Sequence, residues 1–146
     1  MNSELQIRPF RPADEETVIS IWRICNLLVA PHNQPARDIA RKLAHSPELF
    51  LVGEFGDRIA ATCMAGYEGH RGWINYLAVH PDFQRRGFAA AIMAHAERLL
   101  RDRRCLKINL QIRETNTQVI DFYRSIGFSI DPVISMGKKL EAGQPC

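Results

Sequence analysis

Several features that define whole classes of protein are missing from this sequence of 146 residues. Residues 1–4, Met-Asn-Ser-Glu, lack the basic region and the apolar stretch of a secretory signal peptide. No window approaches the roughly 20 apolar residues that a membrane-spanning helix needs. We therefore expect a soluble, cytoplasmic protein with no membrane partner.

Cysteine is scarce and scattered. The four cysteines, Cys25, Cys63, Cys105 and Cys146, form no C-x-x-C pair and no spacing typical of a metal site. Three of them lie inside apolar runs, where cysteine usually acts as a small core residue. The sequence therefore predicts reduced thiols and no bound metal.

The excess of one charge is also small, since 19 basic and 16 acidic residues leave a formal net charge of +3. A nucleic-acid-binding domain usually adds a recognition motif, or exposed aromatic residues between its basic ones, and neither is present. The most basic stretch, residues 101–104, fits a helix end whose cations offset the helix dipole. Nucleic-acid binding is an alternative that rests on this stretch and on a sequence pI of about 8.8, and we expect no nucleic-acid partner.

The composition, 46% apolar and 24% charged, is typical of a globular domain. Apolar alternation or buried apolar runs predict strands at 5–10, 49–53, 59–67, 73–79 and 106–112, with an edge strand at 133–140. Helical spacing predicts helices from 12–14 to about 28, around Ile39 and Leu43, at 89–103, and at 116–125 with Gly127 after its end. The strand–helix–strand unit over 73–112 requires a parallel strand pair. We predict one α/β domain over 1–146, with a mostly antiparallel mixed sheet and about four helices.

One loop, residues 80–88, has the features of an anion site. It leads into a helix, whose first N–H groups and positive dipole end suit a diphosphate. Gly87 allows the backbone to approach a ligand closely, Ala89 leaves room, and Arg85 and Arg86 add positive charge. These properties alone leave two alternatives, an anion site or an ordinary polar turn before a helix.

Residues 79–89, V-H-P-D-F-Q-R-R-G-F-A, closely resemble the acyl-CoA signature of the GNAT N-acetyltransferases, V-x-P-x-x-[QR]-x-x-G-x-[GA]. A second family element matches downstream, where Tyr123 follows Asn116 by seven residues. The resemblance covers nearly the whole chain and implies the GNAT fold, in which a parallel strand pair splays around CoA. Residues 66–72, G-Y-E-G-H-R-G, are similar to a branch of small bacterial members with unassigned substrates.

The resemblance also implies the ligand contacts, with acetyl-CoA as the co-substrate. The backbone of Leu77, Ala78 and Val79 would pair with the pantetheine, and one amide there would polarise the thioester carbonyl. Asn116 would contact CoA, although a helix N-cap is an equally good role for it. The pyrophosphate would lie on the loop residues Gln84, Arg85, Arg86, Gly87, Phe88 and Ala89.

The chemistry that the resemblance implies is direct acetyl transfer to a primary amine of a small molecule or protein, through a tetrahedral intermediate. Tyr123 would protonate the departing thiolate; its alternative role is that of a core aromatic residue. Many members carry a glutamate base where Gly72 and Trp73 stand here, and neither accepts a proton. Glu68 and His70, in a turn between central strands, are therefore the candidate bases, with a plain surface turn as the alternative.

The missing glutamate leaves a second function open, a catalytically idle acyl-CoA-binding or regulatory module. Asn75 would hold a water in the splay or satisfy a backbone group. The sequence selects neither the amine acceptor nor the acyl length. Edge strands leave a homodimer open.

Overall fold

The computed structural model describes residues 4–28 and 34–140. Its strands are β1 (Gln6–Pro9), β2 (Phe50–Phe55), β3 (Arg58–Tyr67), β4 (Gly72–Val79) and β5 (Ile108–Asn109). Its α-helices are α1 (Glu15–Ile24), α2 (Pro35–His45), α3 (Phe88–Asp102) and α4 (Thr117–Ser125). The chain divides into two compact units, Met1–Leu110 and Gln111–Cys146, and each is described by itself. The prediction of one domain over 1–146 stays a prediction.

The first unit is built on one sheet with strand order β1-β2-β3-β4-β5. Neighbouring strands are antiparallel except for β4 and β5, which are parallel. The predicted mostly antiparallel sheet and the predicted parallel pair are both confirmed. The crossover from β4 to β5 through α3 accounts for the parallel direction.

Helices cover both faces of this sheet. On one face α1 and α2 pack on alternate strand positions, because successive side chains of a strand point to opposite sides. On the other face α3 packs on β2, β3 and β4 and buries Ile92, Met93, Ala96 and Leu100. The core under α1 and α2 consists of Phe10, Val18, Ile21, Trp22, Ile39, Phe50, Val52, Met64 and Ala78.

A bulge interrupts β4, where the sequence predicts a regular strand. Thr62 pairs with Ala78 and Met64 pairs with Asn75, so β4 has one residue more than β3 in this interval. Tyr76 adopts a left-handed φ of 51° there. The extra residue changes the alternation, so that Tyr76 packs against the core under α1 and α2.

The start of α1 is tied to the sheet by an ion-pair network. The Arg8 guanidinium donates to both carboxylate oxygens of Asp14, at 2.8 and 2.9 Å, and through Nε to Glu54 Oε1 at 2.7 Å. The Arg11 backbone N–H donates to Asp14 Oδ2 at 2.8 Å. Burial alone would raise the pKa of Asp14, but the hydrogen bonds from Arg8 and Arg11 outweigh it and lower that pKa below its ordinary value.

Three predicted elements differ in the structure. Helix α1 ends at Ile24 and not near 28, because Asn26 turns left-handed with a φ of 60°. The strand predicted at 106–112 shrinks to Ile108–Asn109, and Leu106 is 93% exposed. Residues 133–140 form no strand. Apolar alternation there lacks a neighbouring strand with which to pair among the described residues, and alternation without a partner does not make a strand.

The second unit is centred on α4. The Asn116 side chain accepts a hydrogen bond from the Val119 N–H at 3.4 Å, as an N-cap does. At the other end Gly127, with a φ of 103°, donates to Arg124 O, and Phe128 N donates to Tyr123 O at 3.0 Å. This pair of bonds is a Schellman motif, which confirms the predicted role of Gly127.

Cys25, Cys63 and Cys105 carry free thiols, and Cys146 lies outside the described residues. No described helix has the length and apolar character to cross a bilayer. Across residues 4–28 and 34–140, no group of three or more His, Cys, Asp or Glu side chains is arranged to hold a metal ion.

Candidate active site

The loop after β4 is held against the end of its own strand. The His80 backbone N–H donates to Ala60 O at 2.9 Å, which continues the pairing with β3. The Gln84 side-chain amide reaches back to Val79 O at 3.0 Å. His80 Nδ1 accepts from the Asp82 N–H at 3.0 Å and caps the short turn Pro81–Phe83. Gln84, predicted as a ligand contact, thus shapes the loop in this structure.

The loop then enters α3 through left-handed backbone. Arg85 has a φ of 65° and Gly87, the N-cap residue of α3, has a φ of 78°. No side chain caps this helix end, and its first turn contains no acidic residue. The first-turn N–H groups therefore offer hydrogen bonds and the positive end of the dipole to an anion. We call this helix N-terminus the helix cradle, and its entrance is open, because nothing lies within 4 Å of a Cβ placed on Gly87.

The two loop arginines differ in their surroundings. Arg86 lies over the rings of Phe55 and Phe83, with its guanidinium carbon 5.6 Å from each centroid. Those rings pack with Phe88 in one aromatic cluster beside the loop. Arg85 is exposed and makes no such contact. Arg85 is therefore the better placed of the two to meet an anion.

The parallel strands β4 and β5 separate soon after they meet. They pair only at Gly72 with Ile108 and at Trp73 with Asn109, so β4 continues toward the loop without a β5 partner. The pairing point is tightly packed: a Cβ on Gly72 would lie 2.9 Å from Cys105 Sγ and 3.2 Å from a Leu100 methyl. The result is a splayed edge along Leu77, Ala78 and Val79 that ends at the helix cradle.

The structure gives the turn containing Glu68 and His70 a conformational role. The Glu68 carboxylate accepts hydrogen bonds from the backbone N–H groups of Arg71 and, at 2.5 Å, of His70. These bonds lower the pKa of Glu68 below its ordinary value. A lower pKa makes a carboxylate a weaker proton acceptor. The turn is exposed, and the roles of both side chains as bases stay predictions.

Tyr123 and Asn116 lie in the second unit. Tyr123 is buried, with edge-on ring contacts to Phe122 at 5.2 Å and Phe128 at 5.3 Å. Asn116 caps α4, which confirms the N-cap role predicted for it beside the CoA contact. Their predicted contacts with CoA and its thiolate stay predictions.

The bulge in β4 is the feature that sequence reasoning missed. Thr62 Oγ1 donates to the Tyr76 carbonyl at 2.9 Å and accepts from Trp22 Nε1 at 3.0 Å. Trp22 and Thr62 are fully buried, and the Trp22 and Tyr76 rings stack with centroids 3.9 Å apart. No local signal marks this site, because the three partners lie 40 and 14 residues apart along the chain.

A mixed sheet with a splayed parallel pair, leading into an uncapped helix N-terminus, defines an acyl-CoA-type transferase fold. The sequence model of the Acetyltransferase (GNAT) family matches residues 15–128. An acetyltransferase of Yersinia enterocolitica is 46% identical over 140 residues, which are 96% of this chain and 99% of that protein. This chain therefore belongs to the GNAT acetyltransferase family, and its class is that of an acyl-CoA-dependent N-acetyltransferase.

Solved structures agree on the fold. Ard1 from Thermoplasma volcanium superposes with a TM-score of 0.74 at 26% identity, covering 87% of this chain and 84% of that one. The PaiA N-acetyltransferase from Thermoplasma acidophilum, solved in complex with coenzyme A, has a TM-score of 0.77 at 16% identity, covering 90% and 93%. At that lower identity the likeness concerns the fold alone.

Proposed function

We propose that this chain transfers an acetyl group from acetyl-CoA to a primary amine by direct attack of the amine on the thioester. One observation carries the proposal: the unpaired edge of β4 runs straight into a helix N-terminus whose N-cap is the left-handed Gly87. An extended edge and an anion cradle in series match the extended pantetheine and the diphosphate of CoA.

The donor lies along this line. The backbone of Leu77, Ala78 and Val79 pairs with the pantetheine, as a strand edge pairs with an added strand. The loop from Gln84 to Ala89 receives the pyrophosphate, with the α3 dipole and the exposed Arg85 supplying positive charge. Arg86 contributes through its stacking on the aromatic cluster, which holds the loop in place.

The acceptor amine has to lose a proton before it attacks, because an alkylamine has a pKa near 10.4 and an α-amine near 8. Glu68 and His70 are the sequence-predicted bases for this step. The exposed, hydrogen-bonded position of Glu68 weakens its case. The leaving thiolate takes a proton from Tyr123, our proposed general acid, on the strength of its motif with Asn116.

The test is a thiol-release assay with acetyl-CoA and a panel of amines: a peptide with a free N-terminus, a lysine derivative, a polyamine, an amino acid and an aminoglycoside. We expect turnover with at least one class, and kcat about 100-fold lower in Tyr123→Phe if Tyr123 is the acid. Unchanged kcat in Tyr123→Phe would remove that residue from the mechanism.

Calorimetry with acetyl-CoA runs beside this assay. Binding without turnover on any amine would favour the alternative, an idle acyl-CoA-binding or regulatory module. That alternative is supported by the missing glutamate. Many family members place a glutamate base here, whereas this chain has Gly72, which packs against Cys105 and Leu100. No binding at all would refute both.

A further inference from the structure

The side chain of Tyr76 joins the bulge of β4 to helix α2. Its hydroxyl donates to Asp38 Oδ2 at 2.7 Å, and its ring stacks on Trp22 at 3.9 Å between centroids with an interplanar angle of 14°. Tyr76 directly precedes Leu77, the first residue of the splayed edge. The hydrogen bond therefore fixes the Asp38 carboxylate at the hydroxyl of the residue that directly precedes the strand edge on which the thioester is proposed to lie.

This carboxylate belongs to the first turn of α2, on the face of the sheet that α1 and α2 cover, and it keeps partial access to solvent. Helix α3 packs on the other face, and the donor occupies the edge of β4 and the start of α3. An amine that approaches Leu77 from the α1–α2 face meets Asp38 and Tyr76, both of which are partly exposed.

The pair is suited to hold a cation. Burial, together with the neighbouring carboxylate, raises the pKa of Tyr76 well above its ordinary value, so the phenol stays a donor. Among residues 4–28 and 34–140, the bond from Tyr76 is the one hydrogen bond or ion pair recorded for the Asp38 carboxylate. A carboxylate can accept several hydrogen bonds, so Asp38 keeps acceptor capacity for an ammonium group.

We propose that Asp38 is the acceptor-binding carboxylate of this enzyme, that it selects protonated amines, and that Tyr76 is its positioning residue. This proposal rests on the proposed function and adds to it the residues that bind the amine acceptor. A cationic primary amine docks on Asp38 as the ammonium form, next to the bulge that precedes Leu77, and gives its proton to the base of the proposed function before its nitrogen attacks the thioester. Neutral nucleophiles of the same size lack the charge-assisted hydrogen bond and bind more weakly.

A second contact of α2 supplies the control. Lys42, one turn beyond Asp38, donates to Ser46 Oγ at 2.8 Å and to the Ala65 carbonyl. Burial lowers the pKa of Lys42, and its bonds also anchor α2 to the sheet. If Asp38 and Tyr76 only anchored α2, replacing them would have the same kind of effect as replacing Lys42.

The experiment compares Asp38→Asn, Tyr76→Phe and Lys42→Gln, with the amine of highest turnover in the panel as the probe. Asparagine keeps an acceptor for the Tyr76 hydroxyl but loses the charge, and phenylalanine keeps the ring on Trp22. We expect the KM for the amine to rise about 10- to 100-fold in Asp38→Asn. A smaller rise is expected in Tyr76→Phe, and Asp38→Glu is expected to recover part of the loss.

The affinity for acetyl-CoA distinguishes a loss of amine binding from a general loss of structure in these variants. We expect the Kd for acetyl-CoA to stay within about twofold of the wild-type value in Asp38→Asn, and the amine KM to stay unchanged in Lys42→Gln even if its Tm falls. An unchanged amine KM in Asp38→Asn, with turnover intact, would overturn this subsite and leave the proposed function standing. Absence of turnover with every amine in the wild-type protein would overturn the transfer reaction, and the subsite with it.

Discussion

Thr62 donates its hydroxyl hydrogen to the backbone carbonyl of Tyr76 at 2.9 Å, and so ties the middle of β3 to the bulge of β4. The same hydroxyl oxygen accepts the indole N–H of Trp22 at 3.0 Å. One small side chain thereby provides a hydrogen-bond partner for a backbone carbonyl of β4 and for a side chain of α1. Because Tyr76 precedes the proposed thioester-binding edge, we expect the backbone geometry of that edge to depend on this buried bond.

Replacing Thr62 tests that dependence. Thr62→Val keeps the shape but leaves the Trp22 N–H and the Tyr76 carbonyl without their partner, so we expect a loss of about 2–4 kcal/mol in the free energy of unfolding. Thr62→Ser keeps the hydroxyl and should lose about 1 kcal/mol, for one methyl group. Urea unfolding measures both. A serine variant as unstable as the valine variant would contradict this role of the hydroxyl.

Gly87 tests the helix cradle. Gly87→Ala forces an alanine to a φ of 78°, which costs about 1–2 kcal/mol or shifts the loop, and we expect weaker acetyl-CoA binding by calorimetry. Gly56→Ala is the matched control, because Gly56 has a φ of 66° and equally open space but lies in the turn between β2 and β3. The control should lose similar stability and keep its affinity. Equal losses of affinity in both variants would contradict the assignment of the cradle.

Replacing each of the two loop arginines should have effects that differ in their dependence on ionic strength. Arg85→Ala is expected to raise the KM for acetyl-CoA at low salt, with a smaller effect at high salt, because an exposed charge is screened. Arg86→Ala should mainly lower the Tm, since its guanidinium stacks on Phe55 and Phe83. Steady-state kinetics at two salt concentrations measures the difference. If Arg86→Ala showed the larger salt-dependent change, the roles would have to be exchanged.

Glu68 tests the candidate base. Glutamine keeps an acceptor for the N–H groups of His70 and Arg71, so the turn should persist in Glu68→Gln. Since the carboxylate already serves those groups and its pKa is lowered, we expect the pH dependence of kcat to keep its shape. A pH–rate profile that loses its acid limb in this variant would restore Glu68 as the base.

Asp14 predicts how stability depends on pH. The folded-state pKa of Asp14 lies below its ordinary value near 3.9, so its contribution is present at neutral pH and is lost as the pH falls through the folded value. Asp14→Asn should lose about 2 kcal/mol at pH 7, and the gap to wild type should close as the pH falls below about 4. Urea unfolding at several pH values measures the gap. A gap that is constant from pH 7 to pH 3 would contradict the ion-pair explanation.

Several predictions that depended on neighbouring residues agreed with the structure, although α1 ends at Ile24 and not near 28. Gly127 ends α4 and Asn116 begins it, because capping is settled within one helical turn. The ligand contacts of the loop around Gly87, which rest on a motif whose members lie within a few residues of one another, stay predictions. The parallel pair followed from the order of elements.

Two of the predictions that failed needed a distant partner. Residues 133–140 alternate like a strand and yet form none, and the strand predicted at 106–112 is two residues long. Apolar alternation shows which side chains would share one face of a strand. A strand also needs neighbouring strands for its backbone hydrogen bonds, and no local pattern specifies these. The role of Glu68 as a base stays a prediction, but its hydrogen bonds to the backbone of His70 and Arg71 could not be seen in the residue types.

By itself the sequence determined the class of this protein through its resemblance to the GNAT family, and it predicted a diphosphate site in the loop before α3. The tertiary structure alone decided how β4 bulges at Tyr76 and which carboxylate lies beside it. Thr62, Trp22 and Asp38 meet Tyr76 from β3, α1 and α2, at separations of 14 to 54 residues along the chain. Only the packing of two helices on the sheet brings such residues within hydrogen-bonding and stacking distance.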